Sequence, residues 1–239
     1  MLNDYVLADF IKCFYGYGNY RSRFWFVGME EGGGNTADDV SLRLRAWDER
    51  GRKELDDLAG YHRAIGVDSY FKDRPTLQRT WKGLIRIVLA ADRQTCDKES
   101  VRTYQKSMLG TTNGDTCLLE LLPLPSPNTN TWLYRSNSSL PYLANRDTYR
   151  AHVASLRVAH IQDRLSRYRP KVVVFYGLGY QAYWEQIAGI QNWVESPESI
   201  KYVSRDHTLF CLAKHPVATG VTNEYFHQIG RLVLAKGSA

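Results

Sequence analysis

The chain has 239 residues, of which 44% are hydrophobic and 23% charged, an ordinary globular composition that excludes a disordered tail or a fibrous protein. Its formal charge is +6 and its pI about 9.1, a balance that suits a polyanionic partner because Lys and Arg release counterions on meeting phosphates. No apolar run approaches the roughly 20 residues that span a bilayer, and the Met-Leu-Asn-Asp start carries no basic run ahead of an apolar one, so the expectation is a soluble, cytoplasmic protein.

Spaced apolar positions predict a first helix over residues 4–15, ended by the Gly/Asn-rich turn at 16–19. The aromatic-rich run 23–27 predicts a buried strand that stops at Gly28. Residues 37–58 predict a helix with Leu42, Leu44, Trp47, Leu55 and Leu58 facing inward. Pro75 suits a first helical turn, and Leu77, Trp81, Leu84, Ile85 and Val88 extend that helix over 75–91. A second strand at 117–122 runs into Pro123-Leu124-Pro125-Ser126-Pro127, which no interior strand tolerates. Residues 128–147 read as a loop, long enough to be functional. A basic amphipathic helix over 149–168 has Val153, Leu156, Ile161 and Leu165 inward, and Pro170 closes it. The run 172–176 is the clearest buried strand, followed by a turn at Gly177 and a helix over 180–187. A last strand, 209–213, leads to Lys214-His215-Pro216, and a final helix covers 224–235.

Strands alternating with helices predict an α/β three-layer sandwich around a central, mostly parallel sheet of four or five strands, in one domain over 1–239. Residues 35–73 read as an insertion or lid within it. In such sheets ligands bind at the carboxyl ends of strands. That rule selects Gly28-Met29-Glu30-Glu31-Gly32, the loop after Glu120, Gly177 to Gly179, and His215-Pro216. Cys13, Cys96, Cys117 and Cys211 are scattered, so buried thiols are expected, with no metal site and no cofactor.

Four segments, in order, resemble the uracil-DNA glycosylase superfamily. Phe26-Val27-Gly28-Met29-Glu30-Glu31-Gly32 is similar to its first catalytic loop, and Leu118-Leu119-Glu120-Leu121-Leu122-Pro123 to the strand whose Asn reads the base. Pro170-Lys171-Val172-Val173-Val174-Phe175-Tyr176-Gly177 is similar to its Pro-Lys-Val-Val strand, and Lys214-His215-Pro216-Val217 to its terminal His-Pro-Ser loop. The resemblance implies a uracil-DNA glycosylase-like fold with Glu30 as catalytic carboxylate and His215 as stabiliser of the departing base. It implies base contacts from Glu120, Gly28, Met29, Glu31 and Gly32. Two residues depart from the family pattern: Glu31 stands where it has Pro, and Val217 where it has Ser.

The implied reaction is hydrolysis of an N-glycosidic bond in DNA after the nucleotide leaves the stack. An ionised Glu120 only accepts hydrogen bonds, which suits the exocyclic amine of cytosine, and Gly32 leaves room at the base's 5-position. The expected substrate is therefore a 5-substituted cytosine, hydroxymethylated or glucosylated, as in defence against phage with modified DNA. Phe71, with Tyr70 and Trp47 beside it as candidates, would stack on the base. Lys214, Pro216, Val217, Arg21 and Arg23 would contact DNA, with the His215 loop supplying apolar contact during flipping. The expected assembly is a monomer, with DNA as partner and no membrane. Other readings stand beside this one: uracil excision in base-excision repair, a non-catalytic DNA-binding module, or an NAD-type enzyme using Gly177-Leu178-Gly179 with Glu195 on the ribose.

Overall fold

The computed structural model describes residues 1–128 and 130–236. In chain order the elements are α1 (Asp4–Cys13), β1 (Gly16–Tyr17), β2 (Phe24–Glu30), α2 (Ala37–Glu49), β3 (Leu55–Asp56), α3 (Leu58–Ala64), α4 (Trp81–Ala91), α5 (Lys98–Ser107) and β4 (Thr116–Leu122). They continue with α6 (Tyr134–Asn137), α7 (Arg146–Tyr168), β5 (Val172–Tyr176), α8 (Gln181–Ala188), β6 (Val194–Glu195), β7 (Lys201–Arg205), β8 (Thr208–Ala213) and α9 (Asn223–Lys236). Short 3-10 turns at Pro141–Leu143 and Leu178–Tyr180 precede α7 and α8.

The strands form one mixed sheet in the order β3-β1-β4-β2-β5-β8-β7-β6. Among the described residues its eight strands exceed the four or five expected. The central four, β4-β2-β5-β8, are parallel to one another, while β4 pairs with β1 and β8 with β7 antiparallel. Every residue of β5 and β8 is buried, the signature of a parallel sheet covered on both faces. One helical group packs α4 against α5 and α9; the other packs α7 against α1, α8 and β4. The additional strands flank the central four, two on each side. β1, β3 and β6 have two residues each, too short for any periodicity, and β7 is half-exposed.

Local chemistry explains where helices depart from expectation. The helix predicted over 37–58 ends at Glu49, because Gly51 and Arg52 adopt positive φ of 90° and 50°. Arg50 then pairs with the fully buried Asp56 at 2.6 and 2.8 Å, and Asp57 caps α3 by accepting from the Gly60 amide at 2.7 Å. Residues 75–80 are not helical. The Gln78 carboxamide oxygen accepts from the Thr80 and Trp81 amides, so α4 starts only at Trp81. Asn145 caps α7 through the Thr148 amide, and Arg169 ends it in the left-handed region ahead of Pro170. Leu156, expected inward on α7, is 72% exposed, whereas Val153, Arg157 and Ile161 are buried.

Two features of the packing bear on the strand ends. Within residues 35–73, Trp47, Leu58, Tyr61 and Phe71 belong to the hydrophobic core. Buried Arg157 donates to the carbonyls of Leu121, Glu120, Ile11 and Phe14 at 2.5 to 3.0 Å, pinning the end of β4 to the end of α1.

Candidate active site

The four parallel strands leave the centre in opposite directions: the chain passes from β2 to β4 on one side, then to β5 and β8 on the other. The crevice at such a switch point is where ligands bind in open α/β sheets. The residues there come from one row across the sheet. Glu120 on β4 lies beside Gly28 on β2, and Tyr176 on β5 beside Ala213 on β8, with Val27 beside Phe175 fixing the middle register. Gly28 is required by close approach rather than by its φ. A Cβ there would lie 2.2 Å from the Tyr176 hydroxyl and 2.6 Å from Glu120 Oε2. The missing side chain lets Tyr176 reach across β2 and donate to Glu120 Oε1 at 2.9 Å. Glu30, two residues beyond Gly28 on the same strand, projects from the same face.

Three carboxylates share this end of the sheet, each in different company. Glu30 receives Arg146 Nη1 on both oxygens, at 2.7 and 2.5 Å. Arg146 is itself held by Ser126 Oγ at 2.6 Å and the carbonyls of Asn128 and Thr131 at 2.9 Å, and lies 5.1 Å from the Trp132 ring centre. Burial raises the Glu30 pKa above its ordinary value, and Arg146 opposes the rise. Glu31 is bound differently. Tyr17 donates to it at 2.9 Å, Arg43 lies 3.3 Å away, and His62 Nε2 lies 3.4 Å away. Burial would raise its pKa, but Arg43, His62 and Tyr17 together hold it down at about 2. Glu120 has the Tyr176 hydroxyl on Oε1, while Oε2 is buried without a partner. Burial pushes its pKa up to about 8, helped by Glu31 and Glu30 and opposed by Tyr176 and Arg157. The ionised, acceptor-only Glu120 expected from sequence is thereby corrected: at neutral pH it is predominantly the acid, which both donates and accepts.

His215 follows β8, and its ring centre lies 5.5 Å from that of Tyr176. Burial lowers its pKa, so it is neutral at pH 7. Its Nδ1 accepts from the Val217 amide at 3.3 Å, which places the ring proton on Nε2 and makes that nitrogen a donor. The Lys214 amide donates to the Tyr225 hydroxyl, fixing the start of this loop on α9, and Pro216 is buried. Val217 is 42% exposed, and Leu178, in the turn after β5, is 40% exposed.

The other expected site residues divide sharply. Met29 is buried, and Gly32 has open space where a side chain would be. Phe71 is corrected. Only 2% exposed, its ring is enclosed by His62, Tyr70 and Trp81 and has no face free for a base. Arg21 and Arg23 are corrected as well. They precede β2, at the amino end of the sheet, about 20 Å from Glu30 at roughly 3.3 Å per strand residue. Arg23 is moreover paired with Asp92 and Asp115. Glu195 lies on β6, three strands away from β5, so it cannot serve a ribose bound at Gly177.

Sequence reasoning missed Arg146, Tyr176, Arg43 and His62 as site residues. Tyr176 was legible as the last residue of a strand ending at a selected loop. Arg43 and His62 lie in the presumed insertion and gave no signal. Among the described residues, no group of three or more His, Cys, Asp or Glu side chains is placed to hold a metal ion, and no helix is long and apolar enough to cross a membrane. No protein-family model matches the chain, and no curated protein matches it.

Proposed function

We propose that this protein is a DNA glycosylase, similar in fold and site to the uracil-DNA glycosylase superfamily, that releases a flipped-out 5-substituted cytosine, hydroxymethylated or glucosylated. Such an activity fits defence against phage with modified DNA. The observation that carries the reading is the gathering of Glu30, Glu120 and His215, far apart in sequence, at the carboxyl ends of the parallel strands at the centre of the sheet.

Breaking the N-glycosidic bond places positive charge on the sugar and negative charge on the base. Glu30, kept toward its ionised form by Arg146, faces the sugar cation and orients the attacking water. His215 Nε2–H donates to the base oxygen that gains charge. Tyr176 donates to Glu120 Oε1, which marks that atom as the carbonyl oxygen and leaves the proton on Oε2. A donor at this position suits ring N3 of cytosine, an acceptor, and opposes N3–H of uracil. The open space at Gly32 accommodates a 5-substituent. Val217 and Leu178 offer apolar contacts for the space a flipped nucleotide leaves, with Lys214 beside them for phosphate.

Mass spectrometry of bases released from a panel of duplexes tests this directly. Release of a 5-substituted cytosine in preference to uracil is expected. Release of uracil alone would shift the reading to base-excision repair, and binding of DNA without any base release would leave only a DNA-binding module.

A further inference from the structure

Three acids converge at the strand ends, but cations serve only two of them. Arg146 holds Glu30, and Arg43 holds Glu31, which the His62 ring also approaches at 3.4 Å. Among the described residues no ion pair reaches Glu120. Its Oε2 is buried over Gly28 without a hydrogen-bond partner. The titratable and charged groups that face it are Tyr176 from β5, Glu30 and Glu31 from the end of β2, and Arg157 from α7. Arg157 opposes the rise only at a distance, since its guanidinium hydrogen-bonds to four backbone carbonyls and not to the Glu120 carboxyl. An unpaired buried carboxylate costs several kcal/mol, so the group keeps its proton instead. The result is an acid with its proton aimed at no protein atom. A purely structural carboxyl would be expected to have that proton bonded.

Resting on the glycosylase reading, we propose that Glu120 is the general acid of the reaction: a base entering the crevice uncovers Oε2, buried in the free protein, and the leaving cytosine takes its proton at ring N3. The step balances. The C1′–N1 bond breaks and its electron pair goes to the base, which takes the Oε2 proton at N3 and departs neutral. Glu120 is left as the carboxylate, and the sugar as an oxocarbenium ion. Water adds at C1′ and gives its proton to Glu30, from which it returns through solvent to Glu120. The sum is DNA base plus water giving free base and an abasic site. The hydrogen bond from Tyr176 stabilises the carboxylate formed in this step. Cytosine is a poor anionic leaving group, so the proton matters more here than it would for uracil.

A base that already carries positive charge at N3 needs no proton. The test is therefore single-turnover base release from two duplexes, one holding 5-hydroxymethylcytosine and one holding the same base methylated at N3. For the first, Glu120→Gln and Glu120→Ala should slow release by about 10²–10⁴-fold, the usual contribution of a general acid. For the second, Glu120→Ala, which makes room for the methyl group, should match or exceed the wild type. Equal slowing on both duplexes, or none on the first, overturns the proposal while leaving the glycosylase reading intact. No release from any duplex by the wild type overturns both. An infrared difference spectrum of wild type against Glu120→Gln at pH 7, in the protein alone, should show the C=O band of a protonated carboxyl; a carboxylate band there overturns the proposal whatever the kinetics.

Discussion

Replacing Glu120 by Gln should flatten the pH dependence of stability between about pH 4.5 and 8. In the folded protein the Glu120 carboxyl is raised from its ordinary 4.5 to about 8. Below pH 4.5 it is protonated in both folded and unfolded chains and contributes no slope. Between 4.5 and 8 the unfolded chain gives up the proton while the folded chain keeps it, so unfolding is increasingly favoured as pH rises. Above 8 both forms are ionised, and the stability present at low pH has been lost. A shift of this size corresponds to about 5 kcal/mol at most, since each unit is worth roughly 1.4 kcal/mol. For a chain of this length that is on the order of 10–20 °C in Tm. Gln keeps the oxygen that Tyr176 binds and removes the titration. Thermal unfolding of both proteins from pH 4 to 9 measures the effect, because pH-dependent contributions from other groups cancel in the difference. The wild type should lose stability relative to Glu120→Gln as pH rises through this window. Parallel curves would show that Glu120 is ionised in the native state, and would refute the counting of acids against cations on which its protonation rests.

Two further substitutions probe the same end of the sheet. Gly28→Ala places a methyl group 2.2 Å from the Tyr176 hydroxyl, so the ring must move and release Glu120; a loss of about 1–3 kcal/mol in urea denaturation is expected, and an unchanged midpoint would mean that Tyr176 does not cross the strand. Glu31→Gln should cost about 3 kcal/mol at pH 7 by the lowering of its carboxyl from 4.5 to about 2. That contribution is present above pH 4.5 and lost as pH falls toward 2, so the gap between variant and wild type should close on acidification; a gap that persisted at pH 2 would assign it to packing.

The sequence revealed what depends on local patterning. The runs at 172–176 and 117–122 announced themselves because both faces of a parallel strand are apolar, and they match β5 and β4 to within a residue. Gly28, Glu120 and His215 were identifiable because strand ends in an α/β sheet are where sites form. What was not legible depends on pairing across long distances. Edge strands of two residues carry no pattern at all. Nothing around Arg146 indicates that the first residue of a helix would reach back to Glu30, more than a hundred positions earlier. The charge state of Glu120 was misjudged for the same reason: it depends on Tyr176, Glu30 and Glu31, none of them its neighbour in the chain. Phe71 and Arg23 were aromatic and basic in the right measure, but burial removed one and the direction of β2 removed the other.

Glu31 is held by Arg43 from α2 and His62 from α3, both within residues 35–73. The acid that follows Glu30 and the segment 35–73 are thus one structural unit. Neither survives alone, since the acid without the segment is a stranded charge, and the segment without the acid leaves two bases facing each other. Among descendants of this chain the three positions should be inherited or discarded together. A variant lacking the segment would be expected to need a neutral residue after Glu30.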